Sequence, residues 1–318
     1  MTIRILYFTN KGLKTAEVVR GGLAGHDVSI LPKGSDLAEV CGSAFRNGEA
    51  LVFVGAAGIA VRTVAPFVRD KLSDPPVIVI DEHGSFVIPV LSGHVGGANE
   101  LALEIVAAAG AQPVITTATD INEAFSVDLF AKENGLRIMN RDGIAKVSSV
   151  ALEGKPVTIC IKGFPPEGHA DVLIADGHTA AGLKGAASIV LCPKRYAVGI
   201  GCRRGKSFED LREFAERVLA ENDIDLRDAG CIATIDVKKD EEGLKKLSQA
   251  WRMPLITFEA AVLQTAEGEF SHSDIVLEKV GVDNVCERAA VLAAGPGAKL
   301  VIRKTAENGM TLAVAEKR

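Results

Sequence analysis

Short β-branched runs alternate with amphipathic helical stretches along most of this chain, and the turns that join them are brief and rich in glycine. Ile3–Thr9 reads as a strand, Leu13–Leu23 as a helix, His26–Leu31 as a strand and Asp36–Arg46 as a helix. Ala50–Val54 reads as a buried strand and Ile59–Val68 as a helix. Val77–Asp81 and Phe86–Val90 are strands joined by the tight turn Glu82-His83-Gly84. The alanine-rich helix Ala98–Ala109 and the strand Gln112–Ile115 follow. Units of this kind bury their apolar faces as an open α/β sheet with helices on its faces.

The rhythm changes between Leu136 and Lys194. There the strands Val157–Ile161, Val172–Ile174 and Ser188–Leu191 are separated by Gly- and Pro-rich turns, such as 163–168, and one helix is expected near Asp142–Leu152. The alternation resumes at Tyr196 with strand Ala197–Ile200, helix Phe208–Glu221 opened by Ser207, strand Cys231–Asp236, helix Glu241–Trp251 and strand Leu255–Phe258. It closes with helix Asn284–Ala294 and the strand pair Leu300–Arg303 and Thr311–Ala315. The expected fold is α/β: an N-terminal domain over 1–130, a small α+β middle segment over 131–195 and a C-terminal domain over 196–318. Both main domains should carry open, Rossmann- or flavodoxin-like sheets. A length of 318 residues agrees, at about 150 residues per domain.

Composition narrows the function. A hydrophobic fraction of 47% excludes intrinsic disorder. A net charge of −5 excludes a dominant phosphate-binding face, and 5% aromatic residues argue against a base-stacking platform, so no nucleic-acid partner is expected. Cys41, Cys160, Cys192, Cys202, Cys231 and Cys286 show no CxxC spacing and read as small buried hydrophobes in a reducing cytosol. His26, His83, His169, His178 and His272 show no HxH or HExxH spacing, so no resident metal site is expected. The chain enters a strand at once, without the pattern of a signal peptide, and its longest uncharged apolar stretch is about 12 residues where a bilayer span wants about 20. A cytoplasmic protein without a membrane partner is expected.

Four clusters can carry chemistry. In Leu91-Ser92-Gly93-His94-Val95-Gly96-Gly97-Ala98-Asn99-Glu100 a strand ends and a helix begins, the place where open α/β sheets bind ligands at their carboxyl edge. His94 is there either a proton acceptor or a helix cap. Thr116-Thr117-Ala118-Thr119-Asp120 is either a hydrogen-bonding floor that orients a water or an ST-turn with Asp120 as the N-cap of the next helix. Gly55-Ala-Ala-Gly58-Ile-Ala-Val-Arg62, with Lys71 and Asp74-Pro75-Pro76 downstream, offers Arg62 to an anion or to a salt bridge with Asp70 or Asp74. Gly199-Ile-Gly201-Cys202-Arg203-Arg204-Gly205-Lys206-Ser207 has GxGxxxG spacing, a weak match to a dinucleotide fingerprint, yet three cations in a glycine-rich turn suggest an anion site. Cys202 is there either a low-pKa nucleophile or a packing residue.

Together the clusters resemble the CbiG family, the cobalt-precorrin 5A hydrolases of anaerobic cobalamin biosynthesis. The resemblance runs from Gly58-Ile-Ala-Val-Arg62 through Lys71, Asp74-Pro-Pro-Val-Ile-Val-Ile-Asp81, the SGHVGGAN run and Val114–Asp120. It resumes at Val198-Gly-Ile-Gly-Cys-Arg-Arg-Gly205 and Gly281-Val-Asp-Asn-Val-Cys-Glu287, with Cys286 in place of a small alanine-like residue. It is weakest over Met1–Gly48 and the middle segment.

The resemblance implies a cobalt-containing, ring-contracted tetrapyrrole substrate, a cobalt-corrinoid precursor. Its δ-lactone would be opened by water and its extruded two-carbon unit released as acetaldehyde. Cobalt would arrive in the substrate, so no cofactor is expected. His94 or Asp120 would supply the base, and the Gly96-Gly97 turn the N–H donors for developing charge. Ser92, Asn99, Thr116, Thr117 and Cys202 would line the site, while Arg62, Lys71, Arg203 and Arg204 would meet substrate carboxylates, in a cleft to which both main domains contribute. A non-catalytic handover protein and a nucleotide-binding enzyme are the alternatives. Homo-oligomers or transient contacts with neighbouring pathway enzymes are the protein partners to expect.

Overall fold

The computed structural model describes residues 1–161, 168–176, 185 and 187–317. His178 and residues 163–167 of the expected Pro-rich turn lie outside them. The chain forms two compact units, Met1–Cys192 and Pro193–Arg318.

The first unit opens with a six-stranded sheet of order β2-β1-β3-β4-β5-β6. Its strands are β1 (Thr2–Tyr7), β2 (Asp27–Ile30), β3 (Ala50–Val54), β4 (Val77–Ile80), β5 (Phe86–Leu91) and β6 (Gln112–Pro113). Strands β1 to β4 are mutually parallel in the flavodoxin-like order 2-1-3-4. The helices α1 (Asn10–Gly22) and α4 (Ala98–Ala109) cover one face, where Ile3, Val52, Ile78, Leu101 and Ile105 are buried. On the other face α2 (Leu37–Asn47) and α3 (Ala57–Val64) pack over Leu6, Phe53 and Val79. Sequence sets the helix starts locally: Thr9 accepts from Gly12 N at the head of α1, and Asp36 accepts from Ala38 N and Glu39 N at the head of α2.

Between β4 and β5 the chain reverses. Asp81 accepts backbone N–H groups of His83, Ser85 and Phe86, which folds the tight turn and holds its carboxyl below the usual range. β5 therefore runs antiparallel to β4, and β6 is parallel to β5.

The short helices α5 (Ala118–Ile121) and α6 (Val127–Glu133) follow, then β7 (Leu136–Ile138) and α7 (Asp142–Leu152). The middle stretch forms its own four-stranded sheet, order β7-β10-β9-β8, with β8 (Ile159–Ile161), β9 (Ala170–Ile174) and β10 (Ala187–Pro193). Val127, Ala131, Ile144, Val147, Val172 and Ile189 form its core.

The second unit has a five-stranded sheet, order β13-β12-β11-β15-β14. Strands β11 (Tyr196–Cys202), β12 (Ala229–Ile235) and β13 (Leu255–Phe258) are parallel and linked by α8 (Phe208–Glu221) and α9 (Glu242–Trp251) on one face. The chain returns through α10 (Ala260–Gln264), α11 (Asp274–Val280) and α12 (Cys286–Ala294), and ends in the hairpin of β14 (Lys299–Glu307) and β15 (Met310–Glu316).

Candidate active site

The reversal at β5 decides where the glycine-rich loops lie. The Ser92–Gly97 loop leaves the carboxyl end of its own strand, but β5 is antiparallel to β4, pairing Leu91 with Val77. The loop therefore sits at the amino edge of β1, β3 and β4, beside the Asp74-Pro75-Pro76 approach to β4. The Gly55–Gly58 turn leaves the carboxyl end of β3 at the opposite edge. The expected carboxyl-edge placement is corrected accordingly, because a hairpin flips strand direction where a crossover would preserve it. Since β6 is parallel to β5, the segment after it emerges beside the Ser92–Gly97 loop and brings Asp120 to His94.

Around His94 the two motifs interlock. His94 Nε2 lies 2.8 Å from Asp120 Oδ2, and Asn99 Nδ2 donates to that same oxygen at 2.7 Å and to Thr117 Oγ1 at 3.4 Å. Thr119 Oγ1 stands 3.2 Å from Nε2. On the other side of the ring, Ser126 Oγ lies 3.2 Å from Nδ1 and donates to Asp128 Oδ1 at 2.6 Å, with Asp128 Oδ1 itself 3.6 Å from Nδ1. Lys71 Nζ faces Asp128 Oδ2 at 3.4 Å. The Asp128 hydrogen bond, and then Asp120, raise the His94 pKa above its ordinary value against the opposing effect of burial. Burial pushes the Asp128 carboxyl up, but His94, Ser126 and Lys71 outweigh it and hold Asp128 well below the usual carboxylate range.

Both capping alternatives are excluded by this geometry. The N-cap of α4 is Gly97, in a left-handed conformation and without a side-chain cap bond, so His94 does not cap it. Asp120 lies inside α5, whose N-cap is Thr117. Ser126 and Asp128 were not singled out by sequence: they lie past the TTATD run on a separate short helix. Their one local signal is a carboxylate in a helical first turn between the buried Val127 and Ala131.

The loop itself is tightly drawn. Ser92 adopts φ 59 and donates its hydroxyl to Asp74 O at 2.6 Å. A Cβ on Gly96 would fall 2.3 Å from Ser92 Cβ, so only glycine fits there. The N–H groups of Gly97, Ala98 and Asn99 donate to the carbonyls of His94, Ser92 and Gly93. The expected pair of Gly96 and Gly97 donors is thereby corrected: the Gly97 N–H is already spent within the loop. Asn99 Oδ1 is buried beside Gly93 with no hydrogen-bond partner among the described residues. Thr116 stands outside the network.

The cations are dispersed. Arg62 bonds back to Gly58 O at 3.3 Å and is exposed. The alternative of a salt bridge is not what the structure has, since Asp70 pairs with Arg141 and the Asp74 carboxylate takes the N–H groups of Arg69 and Asp70. Lys71 joins the His94 network, through Asp128.

Arg203, Arg204 and Cys202 belong to the second unit. Arg203 and Arg204 are exposed in the loop between β11 and α8, where Gly205 N donates to Glu241 Oε1 at 2.6 Å and Lys238 pairs with Glu241 at 2.6 Å. Burial pushes the Cys202 thiol up, against the opposing pull of Lys238 and Lys206, so the low-pKa reading of Cys202 is corrected. The GxG pair lies within β11 rather than in the loop. A Cβ on Gly199 would meet Cys286 O at 1.8 Å, so this glycine exists to let α12 press on the strand. Glu287 on α12 is wholly buried and accepts from Ser271 N, Ser271 Oγ, Asn284 Nδ2 and Lys304 N.

Among the described residues no group of three or more His, Cys, Asp or Glu side chains is arranged to hold a metal ion. Among the described residues no helix is long and apolar enough to cross a membrane.

Comparison with known proteins gives this arrangement a family. Residues 39–120 match the family description "Cobalamin synthesis G N-terminal", and residues 196–315 match "Cobalamin synthesis G C-terminus". A cobalt-precorrin-5A hydrolase from Salmonella typhimurium is 36% identical over 284 residues, covering 83% of this chain and 81% of that protein. The chain belongs to the CbiG family. A second relative of that name, from Priestia megaterium, is 33% identical over 86% of this chain and 80% of its own length. A probable cobalt-precorrin-5A hydrolase from Methanocaldococcus jannaschii is 28% identical over 99% of both. The CbiG N-terminal match ends at Asp120, so His94, Asn99 and Asp120 lie within it and Ser126 and Asp128 just beyond it.

Proposed function

We propose that this protein is a cobalt-precorrin-5A hydrolase of cobalamin biosynthesis, opening the δ-lactone of its cobalt-corrinoid substrate with water and releasing the two-carbon unit as acetaldehyde. The observation that carries the reading is relatedness over four fifths or more of both chains to hydrolases of that name, joined to a His94–Asp120 contact of 2.8 Å built from the two most specific motifs.

Lactone opening needs a base for water, and His94 and Asp120 are the two groups placed to supply it. Of the Gly96-Gly97 turn, the Gly96 N–H is the donor not spent within the loop among the described residues, and it suits the oxygen that gains charge. Lys71, beside the network, suits a peripheral carboxylate of a corrin ring. Cobalt enters with the substrate.

Purified protein given cobalt-precorrin-5A under anaerobic conditions should yield acetaldehyde, measured by coupled alcohol dehydrogenase, and a macrocycle lighter by that unit. Unchanged substrate with folded protein would sink the assignment. Tight binding of the corrinoid without acetaldehyde would favour a handover protein instead.

A further inference from the structure

The hydroxyl of Ser126 reveals the protonation of His94. Its hydrogen is committed to Asp128 Oδ1 at 2.6 Å, so toward His94 Nδ1, 3.2 Å away, the oxygen has only a lone pair to offer. Nδ1 must therefore carry a hydrogen. On the far side Nε2 faces Asp120 Oδ2 at 2.8 Å, an oxygen that already accepts from Asn99 Nδ2 at 2.7 Å. A carboxylate oxygen has only lone pairs to offer, so Nε2 carries a hydrogen toward it, with Thr119 Oγ1 at 3.2 Å as the second neighbour of that nitrogen. Both ring nitrogens are donors, and a ring in that state has no lone pair with which to take a proton from water.

We propose that Asp128, acting through Ser126, is a positioning residue that locks His94 as an imidazolium, and that Asp120 is the base. This rests on the hydrolase reading above. Asp128 suits the role: its side chain is 9% exposed against 36% for Asp120, so one carboxylate is sealed behind the ring while the other meets solvent. The charged and titratable groups that face the ring and its clamp are Asp120 from α5, Asp128 from α6 and Lys71, whose ammonium lies on Asp128 Oδ2 at 3.4 Å. The direction of the His94 shift agrees. In the reaction the oxygen of water bonds to the lactone carbonyl carbon as Asp120 takes one of its protons. When the ring C–O bond breaks, the electron pair stays on the leaving oxygen, which recovers that proton from Asp120. His94 keeps both of its hydrogens throughout and holds Asp120 in place.

The test needs no substrate in its first arm. In protein carrying ¹⁵N-labelled histidine, the His94 ring signals should show an imidazolium that persists above the ordinary histidine range. Asp128→Asn should move the midpoint down by a pH unit or more and leave one ring nitrogen unprotonated at neutral pH. Ser126→Ala, a small deletion that tests the same bridge if the Asn variant folds poorly, should move it in the same direction. In the second arm kcat of Asp128→Asn should fall tenfold or more with KM little changed, and the alkaline limb of its pH profile should shift to lower pH. A neutral His94 in the wild-type protein at pH 7, or titration unmoved in both variants, overturns the proposal. An inactive wild-type protein would fault the hydrolase reading alone, since the nitrogen signals still decide the protonation state.

Discussion

Asn99 donates to Asp120 Oδ2 at 2.7 Å, on the very oxygen that His94 Nε2 approaches at 2.8 Å. Two donors from one loop-and-helix segment thus converge on a carboxylate carried by the next segment, and they leave its other oxygen available. The loop that makes this possible is strained at Ser92 and has no room for a side chain at Gly96.

Asn99→Ala should slow turnover while leaving substrate affinity nearly intact. A hydrogen bond to a charged acceptor contributes about 1.5–3 kcal/mol, which corresponds to roughly ten- to hundredfold in kcat if it holds the carboxylate in its reactive pose. Steady-state kinetics with acetaldehyde as the readout decide this; an unchanged kcat contradicts it.

The His94–Asp128 pair gives stability a pH window. His94, with its folded pKa raised, contributes stability fully present below its unfolded value of about 6.5 and lost as pH rises through the folded value. Asp128, held low, contributes above its unfolded value of about 3.9 and loses that contribution as pH falls through its folded value. The Tm difference between wild type and His94→Gln should therefore peak between about pH 4 and 6.5 and shrink at higher pH. A difference constant from pH 4 to 9 would count against the pairing.

Gly199→Ala should destabilise the second unit. The added carbon falls 1.8 Å from Cys286 O, a backbone atom of α12 that cannot swing aside. Overpacking of this kind costs about 1–3 kcal/mol and more when backbone must move. Urea unfolding followed by Trp251 fluorescence reports on this unit directly, and a midpoint equal to wild type is the contrary result.

Glu287→Ala should cost about 3 kcal/mol, because the half-buried Ser271 N and Lys304 N lose their acceptor and Asn284 Nδ2 keeps only Ser271 O. Glu287→Gln keeps one oxygen but sets an amide N–H₂ against donors, so it should fall between Ala and wild type. The same urea experiment ranks the three; equal midpoints would show that the carboxylate is not the anchor of α12.

Much of the fold is legible in the linear pattern where local chemistry closes an element. Ala98–Ala109, Asp142–Leu152 and Phe208–Glu221 have the expected limits, the last because Ser207 accepts from Asp210 N at its start. The helix expected at Leu13 begins instead at Asn10, where Thr9 caps it, and Ile59–Val68 becomes α3 over Ala57–Val64 followed by a tighter turn around Pro66. The short elements α5, α6, β7, α10 and α11 carry too few residues for a periodic signal in the sequence.

By itself the sequence determined the alternating elements, the glycine-rich loops and the pairing of His94 with the Asp120 motif as candidates, because spacing, capping and turn chemistry act over a few residues. Tertiary structure alone decided which edge of the sheet bears the site, through the antiparallel pairing of β4 and β5. It alone brought Ser126 and Asp128 to the far side of the His94 ring across 32 and 34 residues of chain. No periodicity encodes a contact of that range: it exists because β6 and the helices after it are packed where the burial of Val127 and Ala131 holds them.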